Sequence, residues 1–561
     1  MNTLIRILLV TTLTFSTAFA ETLSGSGGMV ASRSDVASEV GSDILAAGGN
    51  AVDAAVATAF ALAVTYPSAG NVGGGGFMVL ALANGEVLTQ DHRETAPAAA
   101  SRDMFLDEQG NIDRNKAVNS LQSAGVPGSV AGLLDALERY GTMSRQQVLA
   151  PAIALAEDGF ILNEDIAGQF ADNLESFRPW PASMAVFSKD GEPYQAGDRW
   201  VQTELAEVLK RIADEGRDGF YKGPTADLLV AEMQRNDGLI THEDLASYQP
   251  VWRAPIEGQY RGYTIWSMPP PSAGGVLLVQ MLNMLESHDL SDAGWGSADS
   301  LHLLIEAQRR AYADRTLYFG DPDFNELPVE MLLSKDYART RFADFDPLKA
   351  SASTEIGPGS WVQPLPESPE TTHLSVVDKD GNAVALTTTL NRSYGNKIVV
   401  PGLGFLLNNE MDDFAAKPDI ANSVGVSSSH VNEIAPGKRM LSSMAPTIVT
   451  RDGEVLLVTG SPGGVTIINT VLQVLVNVLD HGMSAEEAVN SPRIHHQWQP
   501  DIIRYEEGAI PAPALEELRA RAHRGLTGSA FSIGDANTIL VHDGVFEGVS
   551  DERNVGGVAG F

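Results

Sequence analysis

The last third of the chain alternates apolar and polar positions in short runs, a pattern typical of β-strands. The predicted strands are 373–378, 383–390, 396–400, 446–450, 454–459 and 536–541. A long apolar segment at about 465–481 predicts one helix among them. Upstream, apolar residues recur at helical spacing, and Pro or Gly separates the segments. The predicted helices there are 129–158, 203–214, 225–235, 273–287 and 297–315. We therefore expect a mainly helical middle region followed by an α+β region.

Near the N-terminus, residues 40–82 join an Ala-rich stretch to a glycine cluster at 73–76 and then to an apolar run. The pattern predicts a helix that ends near Gly48-Gly49, a second, buried helix that begins at Asn50, a glycine turn and a buried strand. Small residues allow these layers to approach closely. No internal repeat of fixed period is present.

The segment 371–391 predicts a β-hairpin, because apolar runs of period two flank the dipeptide Asp380-Gly381. If Lys379 faces Asn382 across the turn, antiparallel pairing fixes the rest of the register.

In that register Thr371 faces Leu390 and lies diagonal to Thr389 and Asn391. A hydroxyl nucleophile at position 371 would then have a second hydroxyl and an amide within reach. The competing interpretation is that Thr371 is an ordinary strand residue, since threonine favours strands.

At 561 residues the chain exceeds the ~250 to 300 at which one core usually stops growing, so two lobes or one large layered domain are expected. Its first 20 residues carry an early Arg, an apolar stretch and Ala18-Phe19-Ala20, the pattern of a cleaved secretory signal. No later stretch approaches the ~20 uninterrupted apolar residues of a membrane span. The predicted location is therefore the periplasm or the medium.

Charge and cysteine content exclude several classes of function. The chain has 38 basic and 72 acidic residues, a formal net charge of -34, which disfavours nucleic acids and anionic membranes as partners. It contains no cysteine, so disulfides, thiol catalysis and cysteine metal sites are excluded. The acidic balance fits either a saline habitat or simple solubility.

A connector rich in Ser, Pro and Gly, residues 351–370, ends in Glu370 directly before Thr371. Cleavage of the bond between them would give Thr371 a free α-amine beside its hydroxyl. Such an amine has a pKa of about 7.7 to 8.0 and serves as a base near neutral pH. Attack and proton transfer would then come from one residue, without a histidine.

Short motifs spread along most of the chain carry a family resemblance. They include GGNAVDAAVA, GNVGGGGFMVL, DHRETAPAAASRDMF, MPPPSAGG, TTHLSVVDKDGNAVALTTTLN, LLNNEMDDF, LSSMAPTIV, VTGSPGG and PRIHHQW. In order and spacing they resemble the γ-glutamyltranspeptidases, also called glutathione hydrolases, of the N-terminal nucleophile hydrolase superfamily.

The resemblance implies an α+β fold, a four-layer αββα sandwich. It also implies a precursor that cleaves itself between Glu370 and Thr371, with a signal peptide of residues 1–20, a large subunit of 21–370 and a small catalytic subunit of 371–561. The Thr371 hydroxyl would form a γ-glutamyl-enzyme, and water or an amino-acid or peptide amine would take the acyl group. The partners implied are glutathione and other γ-glutamyl compounds, the acceptors, and the two subunits themselves; no cofactor is implied.

The same resemblance assigns roles to ten residues. Those matching the catalytic group are the nucleophile, its hydroxyl neighbour and the two oxyanion-hole glycines, namely Thr371, Thr389, Gly463 and Gly464. Those matching the group that holds the zwitterionic end of glutamate are Arg93, Asn391, Glu410, Asp413, Ser442 and Ser443.

Two other functions remain open from the sequence. An acylase that removes glutaryl groups from cephalosporins would not need groups for an α-ammonium, so Glu410 and Asp413 favour a γ-glutamyl substrate. An uncleaved binding protein would not need a nucleophile together with an oxyanion hole.

We expect no catalytic metal, because His373 and His495-His496 lack a zinc-binding spacing. The loop after Asp413 has Val424 where family members with a lid carry an aromatic residue.

Overall fold

The computed structural model of the protein describes residues 22–357, 371–418, 420 and 429–561. The predicted signal peptide, Glu370 and Val424 lie outside the described residues.

The described residues form 21 strands and 19 α-helices. The strands are Thr22–Gly25 (β1), Gly28–Ser32 (β2), Gly75–Ala81 (β3), Val87–Asp91 (β4), Phe160–Ile161 (β5), Ser188–Lys189 (β6), Glu192–Pro193 (β7), Arg199–Trp200 (β8), Val251–Arg253 (β9), Ile256–Tyr260 (β10), Tyr263–Ser267 (β11), Thr372–Asp378 (β12), Ala383–Thr389 (β13), Thr447–Arg451 (β14), Glu454–Thr459 (β15), Ile494–His495 (β16), Ile503–Tyr505 (β17), Leu526–Gly528 (β18), Asn537–His542 (β19), Val545–Ser550 (β20) and Gly557–Gly560 (β21). The helices are Asp35–Ala46 (α1), Ala51–Thr65 (α2), Arg114–Asn119 (α3), Ser129–Tyr140 (α4), Arg145–Asp158 (α5), Glu164–Phe177 (α6), Pro181–Phe187 (α7), Thr203–Glu215 (α8), Asp218–Tyr221 (α9), Gly223–Arg235 (α10), His242–Ser247 (α11), Gly274–Leu285 (α12), Leu290–Ala293 (α13), Ala298–Tyr318 (α14), Val329–Leu333 (α15), Lys335–Arg341 (α16), Ile467–Leu479 (α17), Ala485–Asn490 (α18) and Ala512–Ala520 (α19).

Two seven-stranded antiparallel sheets lie at the centre of the fold. The first has the strand order β21-β2-β12-β13-β3-β4-β9, and the second has the order β1-β20-β19-β15-β14-β11-β10. Helices α1 and α2 pack on the outer face of the first sheet, and α12, which packs on α14 and α17, covers the second. The predicted four-layer αββα sandwich is therefore confirmed.

Three apolar cores fill the spaces between these layers. One lies between the first sheet and its helices and includes every apolar residue of α2. A second lies between the other sheet and its helices and includes most of the apolar residues of α12 and α17. The third joins the facing sides of the two sheets through small and β-branched residues such as Ala31, Val79, Ala385 and Val458. Small side chains in this last core let the two sheets approach closely.

The segments on either side of position 371 are interleaved in one sheet. β12 and β13 lie between β2 and β3, which come from the chain's first hundred residues. Neither segment can therefore bury its strands without the other. The length of the chain predicted either two lobes or one large layered domain, and the structure shows one layered domain.

Most of the predicted elements are confirmed, with boundaries shifted by a few residues. Asn50 caps α2 by accepting backbone N–H groups, in a reciprocal capping box with Asp53. The predicted helix 129–158 is two helices, because the chain turns at Gly141 between α4 and α5.

The predicted strand 396–400 is wrong. Its residues Ile398, Val399 and Val400 are buried in the first apolar core, which explains the apolar run. The backbone nonetheless turns, since Tyr394 and Lys397 have positive φ angles of 59° and 68°. A buried loop and a short strand give the same pattern of apolar residues.

The hairpin is present, but its predicted register is off by one residue. Asp378, rather than Lys379, faces Asn382, because the backbone N–H of Asp378 donates to the Asn382 carbonyl at 3.0 Å. The carboxylate of Asp378 accepts the backbone N–H groups of Asp380 and Asn382, which stabilises a three-residue loop. As a result Thr372 pairs with Thr388, and position 371 lies level with Thr389 instead of Leu390.

Candidate active site around Thr371

One end of both sheets carries the predicted site. Because neighbouring strands are antiparallel, the start of β12 lies beside the ends of β2 and β13, and the end of β4 lies beside the start of β3. At the same end of the second sheet β15 ends and β14 and β19 begin. Eight of the ten predicted site residues lie within these strand ends or a few residues beyond them. The other two, Glu410 and Asp413, lie in the long loop after β13 and reach the same end through contacts with Arg93.

Thr371 is buried at the head of β12 and lies beside the end of β13. Its Oγ1 is 3.5 Å from Oγ1 of Thr389, at the outer limit of a hydrogen bond. The Thr389 hydroxyl also accepts the backbone N–H of Asn391 at 2.8 Å. Asn391 has a positive φ of 76°, a conformation that asparagine tolerates better than most residues. The predicted neighbours of Thr371 are thus brought together.

A buried ionic cluster lies farther along the same sheet. The guanidinium of Arg93, just after β4, contacts Glu410 at 2.8 Å, Asp413 at 2.5 Å and Glu94 at 3.9 Å. It also donates to the backbone carbonyls of Met440 and Leu441, directly before Ser442. The groups expected to hold a carboxylate and an ammonium therefore form one cluster rather than two separate sites.

The ionic cluster connects to the residues beside Thr371 through hydrogen bonds to the backbone. The side-chain amide of Asn391 donates to the carbonyl of Asn409 at 2.9 Å, and Asn409 immediately precedes Glu410. The backbone N–H of Asn409 donates to the carbonyl of Leu390. A shift of the loop that carries Glu410 would therefore move Asn391 and Thr389 with it.

Burial controls the protonation of this cluster. It raises the pKa of the Glu94 carboxyl to about 8, against the opposing charge of Arg93. Burial also raises the pKa of Glu410 well above its usual value, and the nearby charges of Glu94 and Asp413 raise it further. For Arg93 the carboxylates outweigh burial and hold its pKa above the usual value. Two of the carboxyl groups around Arg93, those of Glu94 and Glu410, thus take up protons more readily than usual.

Ser442 and Ser443 lie beside this cluster, just before β14. The Ser443 hydroxyl accepts a hydrogen bond from Arg315 of α14 at 3.0 Å, and the Ser442 hydroxyl accepts the backbone N–H of Met444 at 3.1 Å. The backbone of Ser442 pairs with that of Pro271 and Ala273. Both serines are thereby held in fixed positions.

The glycine pair follows β15. Gly463 and Gly464 have positive φ angles of 129° and 55°, and Gly464 begins a short 3₁₀ helix that continues into α17. The carbonyl of Gly463 accepts both the N–H and the hydroxyl of Thr466. A helix start with adjacent glycines leaves backbone N–H groups available to a developing negative charge.

Comparisons with known proteins identify the family of this chain. The model of the family described as Gamma-glutamyltranspeptidase matches residues 37–561. The chain belongs to the γ-glutamyltranspeptidase family. It is 51% identical over 530 residues to the "Glutathione hydrolase proenzyme" of Escherichia coli (strain K12), a match that covers 94% of this chain and 90% of that one.

Solved structures of this family and its neighbours have the same fold. A cephalosporin acylase from Bacillus halodurans superposes with a TM-score of 0.86 at 26% identity and covers 99% of both chains. The Helicobacter pylori γ-glutamyltranspeptidase gives a TM-score of 0.57 at 47% identity, with 58% of this chain and 93% of that chain covered. The fold is therefore shared by the γ-glutamyltranspeptidase family and an acylase, so substrate choice must be argued from the site.

Sequence reasoning missed several residues that support the site. Arg315, Glu94 and Asn71 are buried and polar, and Asn71 donates to the Thr389 carbonyl and accepts from Gly74. Tyr312 of α14 donates to the carbonyl of Val465, so α14 contacts the serine segment and the glycine loop together. The only signal in the sequence was charged or polar residues inside otherwise apolar segments.

The histidines that the sequence raised as metal ligands have other contacts. His373 lies between the hydroxyls of Thr387 and Ser375, and His495 contacts Asn469 and Gln497. In the described part of the chain, one group has ligand atoms close enough to share a metal, namely His302, Glu306 and His523. Its members already contact each other, or arginines, through their side chains.

Among the described residues no helix is long and apolar enough to cross a membrane.

Acid should destabilise the protein partly through His373. Burial lowers the pKa of His373 to about 3, whereas an unfolded histidine titrates near 6.5. Since the folded pKa is depressed, this contribution to stability is complete above pH 6.5 and is lost as the pH falls toward 3. We expect His373→Asn to reduce the loss of unfolding free energy by about 1.4 kcal/mol per pH unit below pH 6.

Denaturant titrations at pH 7, 6 and 5 measure this slope. The matched control is His542→Asn, at a position where the side chain is 77% exposed and the slope should not change. Equal slopes for the native protein and His373→Asn would show that His373 takes up its proton in the folded state.

Proposed function

We propose that this protein is a self-processing γ-glutamyl hydrolase and transferase that acts on glutathione and related γ-glutamyl compounds. The observation that carries the proposal is the position of Thr371. Its hydroxyl lies at the end of the two sheets, with the ionic cluster of Arg93 on one side and the glycine loop at Gly463 after the facing strand β15. A nucleophile, backbone N–H groups for an oxyanion and groups for a zwitterion would then lie at one end of the fold.

Self-cleavage is the first step of the proposed mechanism. The Thr371 hydroxyl attacks the carbonyl of Glu370, the peptide bond breaks, and water hydrolyses the resulting ester. The products are a large subunit of residues 21–370 and a small subunit of 371–561. The Escherichia coli relative is named a proenzyme, which supports a precursor. The interleaved strands of the first sheet would keep the two fragments together.

In turnover the free α-amine of Thr371 takes the proton of its own hydroxyl, which attacks the γ-carbonyl of the substrate. The N–H groups at Gly463 and Gly464 would stabilise the oxyanion, and Thr389 would orient the hydroxyl. The leaving amine departs with the proton. Water or an acceptor amine then attacks the γ-glutamyl ester and restores the hydroxyl.

The ionic cluster would bind the α-carboxylate and the α-ammonium of the glutamyl group. Arg93, Ser442 and Ser443 supply donors for the carboxylate. Asn391, Glu410 and Asp413 supply acceptors for the ammonium. Because burial raises the pKa of Glu410 in the empty site, an arriving ammonium would favour the ionised form of this carboxyl.

The acylase alternative is tested by substrate choice. Purified protein is assayed with γ-glutamyl-p-nitroanilide and with glutaryl-p-nitroanilide, which lacks only the α-ammonium. We expect kcat/KM to be at least tenfold higher for the γ-glutamyl compound, since a buried charge-assisted contact contributes about 1.5 to 3 kcal/mol. Equal or reversed values would favour the acylase, and no turnover of either compound would favour a binding protein.

The two acidic residues proposed to bind the ammonium, Glu410 and Asp413, should differ in importance. Asp413 makes the closest contact with Arg93, so Asp413→Asn removes the charge that balances a buried guanidinium. We expect it to raise KM for γ-glutamyl-p-nitroanilide more than tenfold. Glu410→Gln should change KM less than about threefold, because the raised pKa of Glu410 means that its ionisation on binding costs much of what its contact with the ammonium contributes. Steady-state kinetics of both variants check this, and a larger effect of Glu410→Gln would contradict it.

We also propose that the enzyme is exported to the periplasm or the medium. The first 20 residues support this, because they have the charge, the apolar stretch and the small residues of a cleaved signal. N-terminal sequencing of the large subunit from an exporting host should begin at Glu21. A sequence that begins at Met1 would contradict it.

A further inference from the structure

A second polar feature lies on the other side of Thr371. A cavity of about 300 Å³ opens beside its side chain, within the size range of small-ligand sites. Its lining includes the nucleophile itself together with Arg33, Tyr66, Pro462, Asp535 and Asn554. None of the lining residues belongs to the ionic cluster of Arg93.

The strand order places this cavity opposite the glutamyl-binding cluster. In the first sheet β13, β3 and β4 lie on one side of β12 and lead to Arg93, whereas β2 lies on the other side and ends just before Arg33. The second sheet has the matching order. Along the chain, β14 begins just after Ser443 and β19 begins just after Asp535, and in the sheet β15 lies between β14 and β19. Thr371 therefore lies between two charged sites.

Substrate geometry requires a site at this position. A γ-glutamyl chain held at Arg93, with its amide carbon at the Thr371 hydroxyl, directs the amide nitrogen and its substituent away from β13. That direction leads toward β2 and the cavity. The departing peptide and the incoming acceptor occupy the same side of the acyl group, because transfer is the reverse of acylation.

The cavity contains a cation in a fixed orientation. Nε of Arg33 contacts the Asp535 carboxylate at 2.7 Å, and the two side chains are 5% and 3% exposed. Nη1 donates to the carbonyl of Val555 at 3.1 Å and Nη2 to the Tyr66 hydroxyl at 3.0 Å. The contact of Nε with Asp535 is an ion pair without hydrogen-bond geometry. The two hydrogen bonds use one N–H each of Nη1 and Nη2, so the second N–H of each nitrogen remains for a ligand carboxylate.

We infer that the cavity at Arg33 and Asp535 is the subsite for the leaving and accepting peptide, and that Arg33 binds the carboxylate of that peptide. The inference rests on the proposed function. Asp535 holds Arg33 in place and, with Tyr66, fixes the plane of its guanidinium. A carboxylate bound there places the acceptor's neutral amine at the γ-glutamyl ester. The amine forms a C–N bond, the bond from carbonyl carbon to Oγ of Thr371 breaks, and the amine proton returns to Oγ.

The test compares two acceptors that differ only at the carboxylate. γ-Glutamyl-p-nitroanilide is the donor, and glycylglycine and glycylglycinamide are the acceptors. Transfer product and free glutamate are quantified separately, so the split between transfer and hydrolysis is measured for every variant. We expect the native enzyme to have about a tenfold lower KM for glycylglycine than for the amide.

Two variants should reduce that preference by different routes. Arg33→Gln removes the cation and should abolish the preference. Ser532→Asp places a negative charge on an exposed residue of the cavity lining and should raise KM about threefold for glycylglycine alone. If Arg33→Gln does not fold, Ser532→Asp decides. The matched control is Thr527→Asp, an exposed position outside the cavity lining, which should leave the preference unchanged.

The outcomes separate this inference from the proposed function. A native enzyme without a carboxylate preference, or a preference that is undiminished in Arg33→Gln or in Ser532→Asp, would overturn the acceptor subsite while γ-glutamyl hydrolysis continues. Absence of glutamate release by the native enzyme would instead overturn the proposed function.

Discussion

Thr371→Ala should remain a single chain and lose at least about 10³-fold in kcat/KM for γ-glutamyl-p-nitroanilide, because the variant lacks the group that attacks both bonds. The fold should persist, since alanine is smaller than threonine and position 371 precedes β12 rather than pairing within it. Denaturing gels report cleavage and steady-state kinetics report turnover.

The matched variant is Thr371→Ser, which keeps a hydroxyl and an N-terminal amine. We expect it to cleave and to turn over substrate, at lower rates, because serine lacks the methyl group that restricts the side chain's rotation. Cleavage and activity in Thr371→Ala comparable to those of the native protein would show that another residue is the nucleophile.

Gly463→Ala should lower kcat about 10²- to 10³-fold, the typical effect of losing an oxyanion-hole donor. A Cβ at this position would lie 2.4 Å from Oγ1 of Thr466, and the backbone has a φ of 129° that side chains rarely adopt. The Thr466 hydroxyl is bound to the Gly463 carbonyl, so the loop must shift. The N–H groups of Gly463 and Gly464 would then move away from the reacting carbonyl.

Gly453→Ala is the control for backbone strain alone. Gly453 also has a positive φ, 88°, but a Cβ added there would have no other atom within 4 Å. We expect a stability cost of about 1 kcal/mol and an unchanged kcat. Full activity in Gly463→Ala would remove the glycine loop from the mechanism, and an equal loss in both variants would assign the effect to stability.

The fold and much of the site could be predicted because local signals agree with tertiary packing. Asn50 caps a helix in the sequence pattern and in the structure. The strand alternation around Asp380-Gly381 places Thr371 beside Thr389 even though the register differs by one residue. The register of a hairpin depends on the number of residues in its loop. Here the Asp378 carboxylate stabilises a loop of three residues, and the alternation of apolar residues in the strands does not indicate that number.

Other parts of the site depend on contacts between distant segments. The pairing of Arg33 with Asp535 joins residues about 500 positions apart, and nothing in either local sequence indicates the other. Arg93 was predicted to bind a substrate carboxylate, but its contact with Glu410 and Asp413 follows only from the packing of β4 against the loop after β13. The buried apolar turn at 396–400 likewise needed the tertiary structure.

N-terminal sequencing of the purified native protein, after separation on a denaturing gel, shows whether Thr371 becomes an N-terminal residue. We expect two fragments, of which the smaller begins at Thr371 and retains γ-glutamyl activity only together with the larger. A fully active protein with an intact peptide bond between Glu370 and Thr371 would contradict it.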